Sequence, residues 1–318
     1  MAAWAEKSRG GRGWWRLGLL SALLVAAACV PADPPPSPPP PASPLVQAAC
    51  NGRLQPSVAG QVGSNELIET SGVAASRHNA GVLWAHNDSG DSARVFAMTT
   101  SGAHLGWFTL TGASALDWED MAIGPGPQAG QSYLYVGDIG DNNHVRASIV
   151  VYRVREPSVD VTHPPGDGQV FGNVDALVLQ YPDGAHDAEA LAVDPVSGDI
   201  VIVTKELSGQ AGVYVHRASS STTTMSRTTT IDLGFGTLVT GASVAPDGTA
   251  VALRTYGSVL LFPRSDGTQL DEAFASSPCT GASASERQGE AITVMPDGRG
   301  YVTIAEDPQP PVNRFDIT

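Results

Sequence analysis

At 318 residues the chain is long enough for two average domains, but only 16% of it is charged while glycine (35) and proline (24) abound, which favours one large domain of short strands over long helices. The formal charge of -14 makes nucleic acid an unexpected partner, because binding a phosphate backbone needs clustered Lys and Arg. Solubility outside the cell accounts for such acidity without any ligand.

Residues 1–28 have the layout of a signal peptide: Lys7, Arg9, Arg12 and Arg16 precede an apolar run at 17–28, with small residues before Cys29. That run is about 12 residues, too short for the roughly 20 of a spanning helix. The stretch Val25-Ala26-Ala27-Ala28-Cys29 resembles the lipobox of bacterial lipoproteins, with Ala26 where leucine is usual. The resemblance implies that Cys29 is lipidated and that the protein is exported and anchored in the cell envelope. An ordinary cleaved signal, with a secreted product and an incidental Cys29, is the alternative. Residues 29–49 then comprise the anchor and a proline-rich linker, expected as a semi-rigid polyproline II spacer. With Cys29 lipidated, Cys50 and Cys279 are left in an oxidising compartment, where a disulfide between them is expected.

From residue 54 onward, short apolar runs alternate with turn signals such as Pro-Asp-Gly. Five segments, 71–77, 119–125, 189–195, 240–246 and 290–296, align on one pattern. Each is followed by a turn and a second apolar strand, at 82–85, 133–136, 200–203, 250–253 and 301–304. Third strands are expected at 94–97, 149–152, 212–215 and 259–262, and outer fourth strands at 105–110, 176–180 and 228–232. A four-stranded unit recurring about every 50 residues is a propeller blade. The expected fold is therefore all-β: a single five-bladed β-propeller over residues 50–318. The last repeat lacks a fourth strand, and residues 54–62 are expected to supply it, closing the ring and removing exposed edges. A sixth blade in the insertion at 157–175, or a β-sandwich, are the alternatives.

In an antiparallel pair the start of one strand and the end of the next share an edge, so in a ring these edges form one mouth. Strand starts place Glu69, Asp117, Glu119, Asp120, Asp187, Glu189 and Glu290 there, and strand ends add Asp88, Asp91, Asp138, Asp141, Glu206, Glu306 and Asp307. Glu119, Glu189 and Glu290 share one repeat position, which Ser71 and Thr240 fill elsewhere. Carboxylates so crowded call for a cation, raised pKa values or paired bases. All-oxygen donors suit Ca²⁺, with Glu119, Glu189, Glu290, Asp88, Asp91, Asp138 and Asp141 as candidate ligands. The Asp-x-Gly-Asp texts at 88–91 and 138–141 fit either a calcium loop or a turn capped by its own aspartates.

Asp117, Asp187 and Arg254 are candidate ligand contacts, with Arg254 read as the equivalent of Lys205 one repeat on. Lys205, His86 and His186 are candidate acid–base groups, and neutralisation of nearby glutamates is the alternative for Lys205. Gly-x-Ser-x-Gly, His-Glu-x-x-His, P-loop and zinc-type cysteine motifs are absent from the sequence.

The texts His186-Asp-Ala-Glu-Ala-Leu-Ala-Val-Asp-Pro195, Trp118-Glu-Asp-Met-Ala-Ile-Gly124 and Gly289-Glu-Ala-Ile-Thr-Val294 resemble first-strand motifs of bacterial phytase-like β-propellers. That resemblance implies Ca²⁺ at the mouth and phosphoester hydrolysis, although the dense Lys/Arg set expected for a multiply phosphorylated substrate is missing. The leading expectation is an anchored monomer whose mouth binds a divalent cation and a small polar or anionic ligand, as a metal-dependent ester or phosphoester hydrolase. A non-catalytic envelope module that binds proteins or glycans, its acids purely structural, is the alternative.

Overall fold

The structure, a computed structural model, describes residues 43–318. The signal segment, Cys29 and the proline run to residue 42 lie outside the described residues. Five sheets form five blades, each opening on an inner strand: Thr70–Ala75, Trp118–Pro125, Ala188–Val193, Val239–Val244 and Gly289–Val294. Each inner strand contacts its two neighbours in chain order, and the last contacts the first, so the ring closes. Neighbours on both sides explain why these strands are buried almost throughout and read as small or apolar runs.

Blade 1 continues with Val82–Asn87, Arg94–Thr99 and His104–Leu110; blade 2 with Ser132–Asp138, Ile149–Arg155 and Asp175–Leu179; blade 3 with Ile200–Thr204, Gln210–His216 and Ser226–Asp232. Blade 4 continues with Ala250–Thr255, Val259–Pro263 and the two-residue strand Cys279–Thr280. Blade 5 takes Gly300–Ala305 and Pro311–Ile317 from the C-terminal end of the chain and Leu54–Gln61 from its N-terminal side, as the sequence leads one to expect. The insertion forms no sixth blade. Its strand Gln169–Phe171 runs parallel to His104–Leu110 as a fifth strand of blade 1, where Phe171 stacks on Phe108 with ring centroids 5.0 Å apart.

Residues 44–50, of which 44–49 are expected as linker, form a helix packed on the propeller. Pro44 occupies the first turn of a helix, Pro44–Cys50, where its missing N–H costs nothing. That helix buries Leu45, Val46, Ala48 and Ala49 among Leu54, Val259 and Leu261. Cys50, its last residue, is disulfide-bonded to Cys279 across a sequence separation of 229, fastening the helix to the outer strand of blade 4. Among the described residues no helix is long and apolar enough to cross a membrane.

Candidate functional site

All five blades break register at the same point. Between inner and second strands the pairing skips Ser71, Glu119, Glu189, Thr240 and Glu290, the residues aligned by the repeat. Each is the extra residue of a β-bulge, an irregularity that re-aims a side chain and is enriched beside functional sites. Just past the bulge, the residues following the second strand carry Asp88, Ile139, Lys205, Tyr256 and Glu306. In four blades this residue's N–H donates to the carbonyl two residues before the bulge, at Glu69, Asp117, Asp187 or Gln288. The mouth is thus built from three stacked sets of equivalent positions.

Two groups of carboxylates meet there. Asp88, Asp117 and Glu119 place one oxygen each within 4.8 Å of one another, and so do Glu119, Asp187 and Glu189. Glu119 belongs to both. Oxygens bound to a single Ca²⁺ lie at most about 5 Å apart, so either group can hold a metal ion. The donors are all carboxylate oxygen, a set suited to hard cations rather than to zinc or copper. Gly140 makes the crowding feasible: a β-carbon there would come within 2.5 Å of the carboxylate oxygens of Glu119 and Asp117. The space beside these acids is therefore a cradle that any larger residue would fill.

Burial and mutual repulsion dominate the electrostatics. Burial, reinforced by Glu189, Asp88 and Asp117, holds Glu119 well above the ordinary carboxyl range against the pull of Lys205. Burial likewise raises Glu189 to about 7, although Lys205 opposes it. Asp117 rises to about 6 through burial and the neighbouring Asp88 and Asp187. Glu290 rises to about 9 through burial, Glu189 and Glu306, and it shares a hydrogen bond with Glu306. Glu119 and Glu290 thus each feel Glu189 across the mouth. The Lys205 ammonium, disfavoured by burial, is held up by an ion pair with Glu189 and a hydrogen bond to Tyr256.

Other expected residues do different work. Asp91 receives Arg94 Nε at 3.0 Å and Asn87 Nδ2 at 2.7 Å. Asp138 pairs with Arg146 at 2.8 Å, and Asp141 accepts the N–H groups of Val145 and Arg146. In both Asp-x-Gly-Asp loops these three stand outside the two carboxylate groups, and their oxygens accept from arginines, Asn87 and turn N–H groups. Asp88 is the loop residue within a carboxylate group, while the Asp141 N–H donates to Asp187 Oδ1 at 2.8 Å and Asp138 accepts the Asp117 N–H at 3.3 Å, so both support the mouth from behind. Glu290 belongs to the mouth but to neither carboxylate group.

Arg254 lies outside both carboxylate groups and away from the strand position expected for it. The register pairs it with Gly241, as Val203 pairs with Ala190, so the equivalent of Lys205 is Tyr256. Buried to 3% exposure, Arg254 pairs with Glu286 and donates to the carbonyls of Ala291 and Ile304, joining blades 4 and 5. His86 is fully buried, its Nδ1 2.8 Å from the Asn87 carbonyl and its ring edge-on to Trp118, and burial lowers its pKa. His186 lies with Asp183, Glu206 and Tyr214, at 3.1, 3.4 and 2.9 Å. Neither histidine joins the carboxylate groups.

Asp120, adjacent to the bulge, has a role that the sequence does not single out. Fully buried, it accepts the N–H groups of Met121, Leu191 and Ala242 at 2.8, 2.9 and 2.9 Å, tying blades 2, 3 and 4 beneath the mouth. Its clue was an acid standing beside Glu119 where the other repeats have a small residue.

No family model matches the chain, and no curated protein matches it. Among solved structures, the gluconolactonase XC5397 of Xanthomonas campestris is 13% identical, with a TM-score of 0.49 over 93% of this chain and 99% of that one. The structure of U3-55K is 11% identical, with a TM-score of 0.40 over 82% of this chain and 98% of that one. At these scores neither likeness adds to what the strand order already shows, a five-bladed propeller.

Proposed function

We propose that the acidic mouth binds a divalent cation, Ca²⁺ by the chemistry of its donors, together with a small polar or anionic ligand, and that the protein is a metal-dependent hydrolase of an ester or phosphoester. The observation that carries this reading is Glu119, shared by two carboxylate groups that are each compact enough for one ion. When bound, the cation supplies Lewis acidity and lowers the pKa of water. Lys205, held between Glu189 and Tyr256, offers a positive charge to an anionic group entering the mouth. Glu290, protonated at neutral pH and hydrogen-bonded to Glu306, keeps a proton at the same rim.

Export and lipidation of Cys29 complete the proposal and place the domain on an envelope membrane face. The Cys50–Cys279 bond supports export, because structural disulfides persist in oxidising compartments. Calorimetric titration of the mature chain with Ca²⁺ tests the site: binding is expected in the parent and at least tenfold weaker in Glu119→Gln. A parent protein that takes up no Ca²⁺ removes the metal reading. With binding established, turnover of phosphate esters and lactones with and without Ca²⁺ decides whether catalysis accompanies it.

A further inference from the structure

The inner strands run from the acidic mouth to a second mouth about 20 Å away, six extended residues further on. There the repeat ends on Pro125, Pro195, Pro246 and Pro296 in blades 2 to 5, but on Arg77 in blade 1. Arg77, Pro125, Pro195 and Pro246 line a cavity of about 600 Å³, joined by His78 and Glu156. Arg77 also lines a void of about 10 Å³ on the axis, bordered by residues of all five inner strands. Arg77 therefore borders both the axial void and the open cavity.

Its hydrogen bonding is incomplete. Nη2 donates to the Val244 carbonyl at 3.3 Å, and Nε is buried without a partner. Among the described residues, no carboxylate lies within ion-pair reach of Arg77, whereas the other arginines that are not exposed each have one. Glu156, whose charge supports Arg77 more than that of Asp247, already accepts from Ser76, Asn79, Trp84 and Ser132. Burial acts against the Arg77 charge more strongly than Glu156 and Asp247 support it. A half-buried cation short of acceptors is costly unless something completes it.

We propose that this second mouth is a binding site for a small organic carboxylate, with Arg77 as its anchor. A planar guanidinium fork matches a carboxylate, and the proline walls offer apolar surface and no N–H groups to an attached carbon skeleton. Glu156 and Asp247 add negative charge nearby, which disfavours a dianion and selects a monoanion over phosphate.

Saturation-transfer NMR and calorimetry with benzoate, acetate and inorganic phosphate test this on the mature chain, with EDTA present so that the outcome is independent of any cation at the acidic mouth. Benzoate should bind more tightly than acetate, phosphate should not displace it, and Arg77→Gln should weaken benzoate at least tenfold without lowering the melting temperature. Should that variant fold poorly, the parent decides: benzoate must shift the Arg77 Nε–H resonance. No benzoate binding, equal binding to Arg77→Gln, an unmoved Nε–H signal, or displacement by equimolar phosphate would each overturn the assignment.

Discussion

Glu189 and Asp194 stand at the two ends of the inner strand of blade 3, both buried, yet their carboxyls meet opposite surroundings. Burial alone would raise Asp194, but Arg264 grips both its oxygens, at 3.1 and 2.8 Å, and with the Val196 N–H holds it below the ordinary value. Glu189, raised by burial and then by Asp187 and Asp88 against one ammonium, is pushed up to about 7. The same fold matches a buried carboxylate at one end and crowds carboxylates at the other. Stability needs only the first arrangement, and the second is the kind of crowding found at functional sites.

The sharpest way to break this comparison is to remove a matched partner. Arg264→Ala leaves Asp194 buried without its cation and should cost about 3–5 kcal/mol in urea unfolding. Glu119→Gln, by contrast, removes repulsion and should leave the cation-free protein as stable as the parent or more so. If both substitutions destabilise equally, the two ends do not differ.

Gly140→Ala changes no charge but pushes a β-carbon into the Glu119 and Asp117 carboxylates, so calorimetry should show Ca²⁺ affinity falling about tenfold, equivalent to about 1.4 kcal/mol. Lys205→Met removes the ammonium that competes for Glu189 and should raise Ca²⁺ affinity several-fold. Weaker binding in that variant would make Lys205 a support of the site rather than a competitor.

The smallest effect is on pH dependence. Glu189 and Glu290 titrate near 7 and 9 when folded, above their unfolded values, so the folded chain holds protons that the unfolded chain releases. Their contribution to stability is full below about pH 4 and is lost as pH rises through 7 to 9. The melting temperature of the cation-free protein should decline by a few degrees between pH 5 and pH 9. Saturating Ca²⁺ should flatten that decline, because the cation takes the place of the protons.

Much of the mouth was legible because one repeat position carries Glu119, Glu189 and Glu290, and ring symmetry brings equivalent positions together. What escaped depended on register and on partners distant in sequence. The bulge residue shifts the pairing, which hid Tyr256 as the counterpart of Lys205 and made Arg254 look like a mouth residue. The ion pairs of Asp91 with Arg94 and of Asp138 with Arg146 could not be read from the sequence. The helix Pro44–Cys50 was masked by the prolines before it, and Gln169–Phe171 is too short to show a strand period.

Diffraction from crystals grown with Ca²⁺ tests the central claim most directly. The expected result is an ion bonded to Glu119 and to carboxylates of at least one of its two groups. Crystals saturated with Ca²⁺ that show no ion there, with Lys205 still paired to Glu189 and Glu119 facing its neighbours alone, would contradict it.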